Sequence, residues 1–392
     1  SACIDKNSNF SEEKFYELCR KASIVGTLQA GYTDFKYLGE QTEEIVRGEA
    51  LLGVSITGWM TRPELFNETI LQNGSKIVID INKEITSLIG INPAGRSTTT
   101  KPAGNASAIL KTSSGIHPEH SKMYFRIMQI NKESETAKYL LENMPEILEE
   151  SVWSENNTDY VVFVPILNKN ETIYKSDMRG IKHLELIKLV QNSWVIPGKT
   201  KERCYKETIN HNVSNTVIID NMDEISKYLY ENQNYFTAVS FISDEGDKDY
   251  IQAPFTSVLN TDELISKYGD GVVFMSGLIV DGLHYFSDNL WNATEHVLKP
   301  ELQLTGTREQ VILKEHWIKR VRQFSKNFFK KDINRTIYCM KDVHLWHKWN
   351  SITRNFKQVN FIEILKKPEY NEISDYASIA CYAGQCELPN KK

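Results

Sequence analysis

Thr98-Thr99-Thr100-Lys101-Pro102-Ala103-Gly104-Asn105-Ala106-Ser107-Ala108-Ile109-Leu110 is a polar run that feeds a Pro-Ala-Gly turn and then opens an apolar segment. Pro102 and Gly104 set a sharp turn. Asn105 or Ser107 can cap a helix that starts there, whose first backbone N–H groups have no partner inside the helix. Free amides, a positive helix end and the neighbouring Lys101 together suit a phosphate or another anion. From these residues alone an ordinary capped turn stays open as the alternative.

Working outward, the flanks read as alternating helices and short apolar strands. Residues 11–30 repeat Phe15, Leu18, Cys19, Ala22 and Val25 at helical spacing behind Ser11 as a cap. Within 42–60, Val54–Trp59 suits a buried strand or a close helix contact, and 75–90 reads as a helix without a clear start. Residues 134–150 form an amphipathic helix from the Ser134 cap, with Pro145 imposing a kink or a restart. Tyr160–Ile166, Val213–Ile219 and Thr237–Ile242 suit buried strands, and His183–Trp194 has a helical pattern between two of them. That alternation predicts an α/β fold with parallel strands.

The chain has 392 residues, is 41% hydrophobic and carries a formal net charge of −5. The apolar content builds a substantial core, and the acidic balance speaks against direct nucleic-acid binding as the main role. No stretch approaches the roughly 18 apolar residues of a membrane span, and no signal peptide is visible. Of six cysteines, only Cys381 and Cys386 are close in sequence, a pattern expected of a cytoplasmic protein.

Beyond residue 268 the character changes. Gly269-Asp270-Gly271 is a turn, and a basic helix at 308–331 includes Lys314, Lys319, Arg320, Arg322, Lys326, Lys330 and Lys331. The expected organisation is therefore 1–268 as the main domain, 269–364 as a mostly helical insertion, and 365–392 as a flexible tail. His344 and His347, three apart, have metal-pair spacing, but packing of the insertion is the preferred reading and no metal is expected. His117 before Pro118 is read as structural.

Several stretches, in order, resemble adenosylcobalamin-dependent (class II) ribonucleotide reductases of the monomeric type. They are Arg47-Gly48-Glu49-Ala50-Leu51-Leu52-Gly53-Val54-Ser55-Ile56-Thr57-Gly58, the Thr100–Leu110 turn, Gly115-Ile116-His117-Pro118 and Met123-Tyr124-Phe125-Arg126-Ile127. Asn212-Val213-Ser214-Asn215-Thr216-Val217, Tyr250-Ile251-Gln252-Ala253-Pro254 and the tail Cys381-Tyr382-Ala383-Gly384-Gln385-Cys386 complete the series. The resemblance covers about residues 1–260 and the last dozen. It implies the C-terminal half of a ten-stranded α/β barrel of the reductase type. It also implies a ribonucleotide substrate, with its phosphates on Lys101, Pro102, Ala103, Gly104, Asn105, Ala106 and Ser107. The implied cofactor is adenosylcobalamin, whose cobalt–carbon homolysis generates the radical.

The family's Asn-x-Cys-x-Glu loop and its Cys-Asn-Leu-Ser-type cysteine would both lie before Ser1, and Cys3 is out of register to replace the latter. The expectation is the C-terminal part of a split enzyme, inactive without its upstream part, and a hydroxyl residue at position 1 suits an intein junction. Cys381 and Cys386 would then pass electrons from a thioredoxin-type reductant by thiol–disulfide exchange. A class I large-subunit fragment is the near alternative. Against it, the 18 tyrosines include no Tyr-Tyr pair, and the Lys-Pro-Ala-Gly turn lacks the Pro-Thr-Ala-Ser-Thr form. A noncatalytic nucleotide-binding or assembly protein, with the basic helix as its partner surface, is the reading from another class.

Overall fold

The computed structural model describes residue 3 and residues 9–168, 172–219, 221–242, 246–249, 251–286, 290–299 and 301–356. In chain order the first elements are α1 (Glu12–Ala30), α2 (Glu40–Glu49), β1 (Val54–Ser55), α3 (Glu68–Ile89), β2 (Thr98–Thr99) and α4 (Asn105–Leu110). Then come β3 (Met123–Asn131), α5 (Glu135–Asn143), β4 (Leu148–Glu150), β5 (Asp159–Leu167) and α6 (Gly180–Val190). β6 (Thr216–Ile218), α7 (Met222–Glu231), β7 (Ser240–Ile242), α8 (Gly246–Asp249) and β8 (Phe255–Ser257) follow. The last five are helices: α9 (Thr261–Tyr268), α10 (Gly271–Phe286), α11 (Leu290–Leu298), α12 (Arg308–Phe328) and α13 (Ile333–Asn355).

The chain forms two compact units: Ser1–Lys122 with Asn168–Asp244, and Met123–Leu167 with Glu245–Lys392. The boundary drawn at 268 from composition falls inside the second unit, and the one at 364 lies outside the described residues.

In the first unit, β1 pairs with β2 in parallel, and β6 pairs with β7 in parallel. A parallel bridge at Thr100–Val213 links the two pairs. There the Thr100 N–H donates to Asn212 O at 3.3 Å, and the Ser214 N–H donates to Thr100 O at 2.8 Å. The result is a parallel array in the order β1, β2, 213–218, β7, with α3 returning the chain between the first two and α7 between the last two. The expected strands at 213–219 and 237–242 are present and parallel, in shorter form.

Helix α1 begins where its cap predicts, the Ser11 side chain accepting from the Lys14 N–H. α3 starts earlier than its periodicity suggests, because Asn67 caps it by accepting from the Ile70 N–H. α1 and α3 are fastened by buried polar groups: Ser23 Oγ donates to Val78 O at 2.7 Å, and Asn82 Nδ2 donates to Thr27 Oγ1 at 2.9 Å. Trp59, Met60, Leu71, Val78, Leu184 and Trp194 fill the core of this unit without solvent exposure.

The second unit corrects the expectation of parallel strands. Its four-stranded sheet has the order β4-β5-β3-β8, and every pairing is antiparallel. The strand expected at 160–166 is present as β5, but it runs against β3 over nine residue pairs. A closed ten-stranded barrel is not among the described elements. The helix expected over 134–150 stops at Asn143, and Pro145 restarts the chain as a single 3₁₀ turn into β4, because proline cannot donate to the preceding turn. Phe125, Phe163, Trp349 and Ile352 pack into one cluster of this unit, and α9–α13 enclose another around Trp317, Met275 and Met340. Trp317 is seated by its Nε1–H donating to Leu278 O at 2.7 Å.

Candidate functional site

In a parallel α/β array, ligands meet the loops that leave the carboxyl ends of the strands. Here those loops include Ile56–Thr61 after β1 and Lys101–Pro118 after β2. The turn singled out in the sequence therefore lies in the loop that leaves the carboxyl end of β2.

Hydroxyls bind these loops to one another. Ser55 Oγ accepts from the Lys101 N–H at 2.9 Å, and Ser114 Oγ accepts from the Ala103 N–H at 3.0 Å. Thr57 Oγ1 donates to Ser113 O at 3.1 Å and accepts from the Gly115 N–H at 2.8 Å. Ser113 Oγ accepts from the Met60 N–H at 3.2 Å, while the Ser113 N–H donates to Thr61 Oγ1 at 3.0 Å. The close approach requires glycine at two places. A Cβ on Gly58 would lie 2.3 Å from Thr112 Oγ1, and one on Gly115 would lie 2.9 Å from Lys101 O; both residues also hold positive φ.

The turn has the following form. Lys101, Pro102, Gly104 and Ala106 are exposed, Ala103 is half-buried and Ser107 is buried. Gly104 takes φ +51° with open space around the position of a Cβ. Asn105 opens α4, a helix of six residues. Two expectations need correction. Ser107 does not cap the helix: it lies inside α4, and its Oγ donates to Gly104 O at 2.7 Å. Nor are all the amides of the turn free, since that of Ala103 meets Ser114 and that of Ala106 donates to Ala103 O.

Under these loops sits a histidine that the sequence reading did not single out. His183, fully buried near the start of α6, has Nε2 at 3.1 Å from Ile116 O. A carbonyl only accepts, so Nε2 carries the proton and Nδ1 is left with its lone pair. Nδ1 is buried and has no hydrogen-bond partner among the described residues. Burial first, and then the neighbouring His117, pull His183 down to about 4. His117 donates from Nδ1 to Ser114 O at 3.0 Å and is also shifted down by burial. Both rings hold loop backbone in the neutral form.

A second convergence lies within the other unit. Pro254 O accepts from the Arg126 guanidinium at 2.7 Å and from the Ile127 N–H at 2.9 Å. The aromatic-basic stretch at 123–127 and the Gln-Ala-Pro stretch thus meet, and Arg126 also lies 4.2 Å from the centre of the Phe255 ring.

Cys381 and Cys386 lie outside the described residues. His344 and His347 share α13. The His347 Nε2 is 2.8 Å from Ser276 Oγ, and His344 is pulled down to about 3 by burial and then by Lys348 and His347. Among the described residues, no three His, Cys, Asp or Glu side chains gather as metal ligands. The basic helix is partly engaged within its own unit: Arg320 pairs with Asp281 at 2.6 Å, and Lys314 donates to Thr305 O. No helix among the described residues is long and apolar enough to cross a membrane.

No family model matches the chain, and no curated protein matches it. Among solved structures, the chain is similar to a crystal structure of a B12-dependent (class II) ribonucleotide reductase, with a TM-score of 0.48 and 16% identity. The match covers 64% of this chain and 37% of that protein.

Proposed function

We propose that this chain is part of a class II-type ribonucleotide reductase and that it acts together with an upstream polypeptide. In this reading it supplies the substrate-phosphate turn at Lys101–Ser107 and the dithiol Cys381/Cys386. The observation that carries it is a convergence. Stretches that resemble separate reductase motifs, at 47–58, 100–110, 115–118 and 212–217, are hydrogen-bonded to one another around a parallel array. Look-alike turns scattered by chance through a sequence have no reason to meet.

The substrate class is a ribonucleoside di- or triphosphate. Lys101 provides a cation, Gly104 lets an anion approach the backbone closely, and the neutral hydroxyls around them keep the loops in place. The parallel array would form part of a larger α/β barrel in the assembled enzyme. The cofactor in this reading is adenosylcobalamin, which supplies the radical when bound. The described loop residues do not make a corrin site by themselves. A thioredoxin-type protein would return the electrons.

The test is reconstitution. The 392-residue chain is assayed for deoxynucleotide formation with and without a recombinant upstream polypeptide that carries the Asn-x-Cys-x-Glu loop. Cobalamin-dependent product only in the mixture is the expected result. Turnover by the chain alone, or none from an assembled complex, overturns the reading.

A further inference from the structure

Helix α10 is apolar on almost every side. Met275, Leu278 and Ile279 are buried in the core that it shares with α12 and α13. Two of its few polar side chains are engaged: Ser276 Oγ lies 2.8 Å from the His347 Nε2, and Asp281 pairs with Arg320 at 2.6 Å. The opposite side faces solvent, with Val273 70% exposed, Phe274 63% and Val280 55%. The Phe274 ring lies 5.3 Å from that of Phe328, which is exposed as well. Between Phe274 and Val280, a Cβ on Gly277 would meet open space. A helix at a surface normally turns a polar face to water, and one that is apolar all round is covered by another apolar element.

The pattern on this side is balanced about Gly277. Val273 and Phe274 stand four and three positions before it, and Val280 three after it. Seven positions away on either side stand Asp270 and His284, both exposed and neither in an ion pair among the described residues. Steps of three, four and seven keep to one face of a helix.

We infer that α10 packs on α10 of a second copy of this chain, antiparallel, about a two-fold axis at Gly277. In a two-fold interface residue i meets residue j, and j meets i. Each Phe274 therefore meets the partner's Val280, and each Asp270 carboxylate accepts from the partner's His284 imidazole. The glycine at the crossing lets the two backbones approach closely at a shallow angle. Antiparallel helix ends carry opposite partial charges and attract. The Asp281–Arg320 pair beside the strip brings no net charge to the contact. A foreign segment would cover the apolar middle, but it gives no reason for an acid and a base at equal distances on either side of it. A second copy does, because charge complementarity then follows from symmetry. Nothing in this pairing depends on what the first unit binds.

The experiment is sedimentation velocity of the full chain over a concentration series. It is repeated on Asp270→Lys, His284→Glu, the two combined, and Val280→Glu, all at exposed positions. Melting temperatures at the lowest concentration check that each variant is folded. The expected result is a dimer whose fraction rises with concentration. Asp270→Lys sets two bases together and His284→Glu two acids, so each should weaken the dimer at least tenfold. The combined variant restores opposite charges and should regain most of the affinity. Val280→Glu should leave a folded monomer. A chain that stays monomeric throughout overturns the inference, as it would if another segment of the same chain covered α10. So does a dimer indifferent to Val280→Glu, or a combined variant no tighter than the single ones.

Discussion

Individual side chains set the chemistry of the loop cluster, and His183 has the most direct consequence. It is neutral and fully buried, with its pKa pulled down to about 4. An unfolded histidine takes up its proton near pH 6.5, so between about pH 6.5 and 4 the unfolded chain binds a proton that the folded chain refuses. Stability is therefore complete above that window and falls as the pH drops through it, by on the order of 3 kcal/mol for a shift of this size. His183→Gln keeps a donor for Ile116 O and carries no charge. The urea midpoint of this variant should fall less than that of the parent between pH 7 and 5, and parallel curves would assign the pH dependence elsewhere. Gly104 is the second residue with a clear prediction. Its φ of +51° is strained for a branched side chain, so Gly104→Val should weaken nucleotide binding by the assembled enzyme tenfold or more. Equilibrium dialysis with a ribonucleoside triphosphate gives the answer, and unchanged affinity would remove the turn from the site. The turn at 101–104 was legible because Pro, Gly and Lys declare themselves locally. His183 was not, since its partner Ile116 stands 67 positions away and its ring sits in a helix that reads as ordinary core.

Elements were legible where a cap and an apolar stripe agree. α1 shows both, with Ser11 at its start and Phe15 and Cys19 buried along its face. α3 showed only its stripe, and its first turn was missed because Asn67 reads as one polar residue among several. The cap is nonetheless definite, with Asn67 Oδ1 accepting from the Ile70 N–H at 3.2 Å. Asn67→Ala should lower stability by about 1 kcal/mol, and Asn67→Ser by much less; chemical denaturation of the two variants separates a cap from a bystander. β5 shows a different limit. Its apolar run Tyr160–Ile166 announces a strand, but periodicity says nothing of the direction of its neighbour. The antiparallel partner β3 is set by tertiary pairing from Met123↔Leu167 to Asn131↔Asp159. Sequence order alone also left open that β2 and the strand at 213–218 would be neighbours, because the bridge at Thr100–Val213 spans more than a hundred residues.

At the scale of the whole chain, composition placed a boundary near 268, whereas contacts group 123–167 with the later helices. A shift in residue character marks where surface chemistry changes, and a compact unit is defined by which segments share a core. Phe163 shares its core with Trp349, nearly two hundred residues further on, and Phe125 packs with both. In the proposed reductase reading, the turn at 101–107 and the terminal cysteines act in one catalytic cycle. Each reduction of a ribonucleotide consumes two electrons and leaves a pair of active-site thiols as a disulfide, which must be reduced before the next turn. In that reading Cys381 and Cys386, separated by four residues, would deliver those electrons: one thiolate would attack the internal disulfide, and the second would release it by closing a ring. Replacing both with serine should therefore spare the first turnover of a pre-reduced, assembled enzyme and stop the following ones when thioredoxin is the reductant. Dithiothreitol, small enough to diffuse to the internal disulfide, should restore part of the later turnover. Rapid-quench measurement of product per enzyme separates one turnover from many, and full multiple turnover of the double variant with thioredoxin would show that the electrons travel by another route.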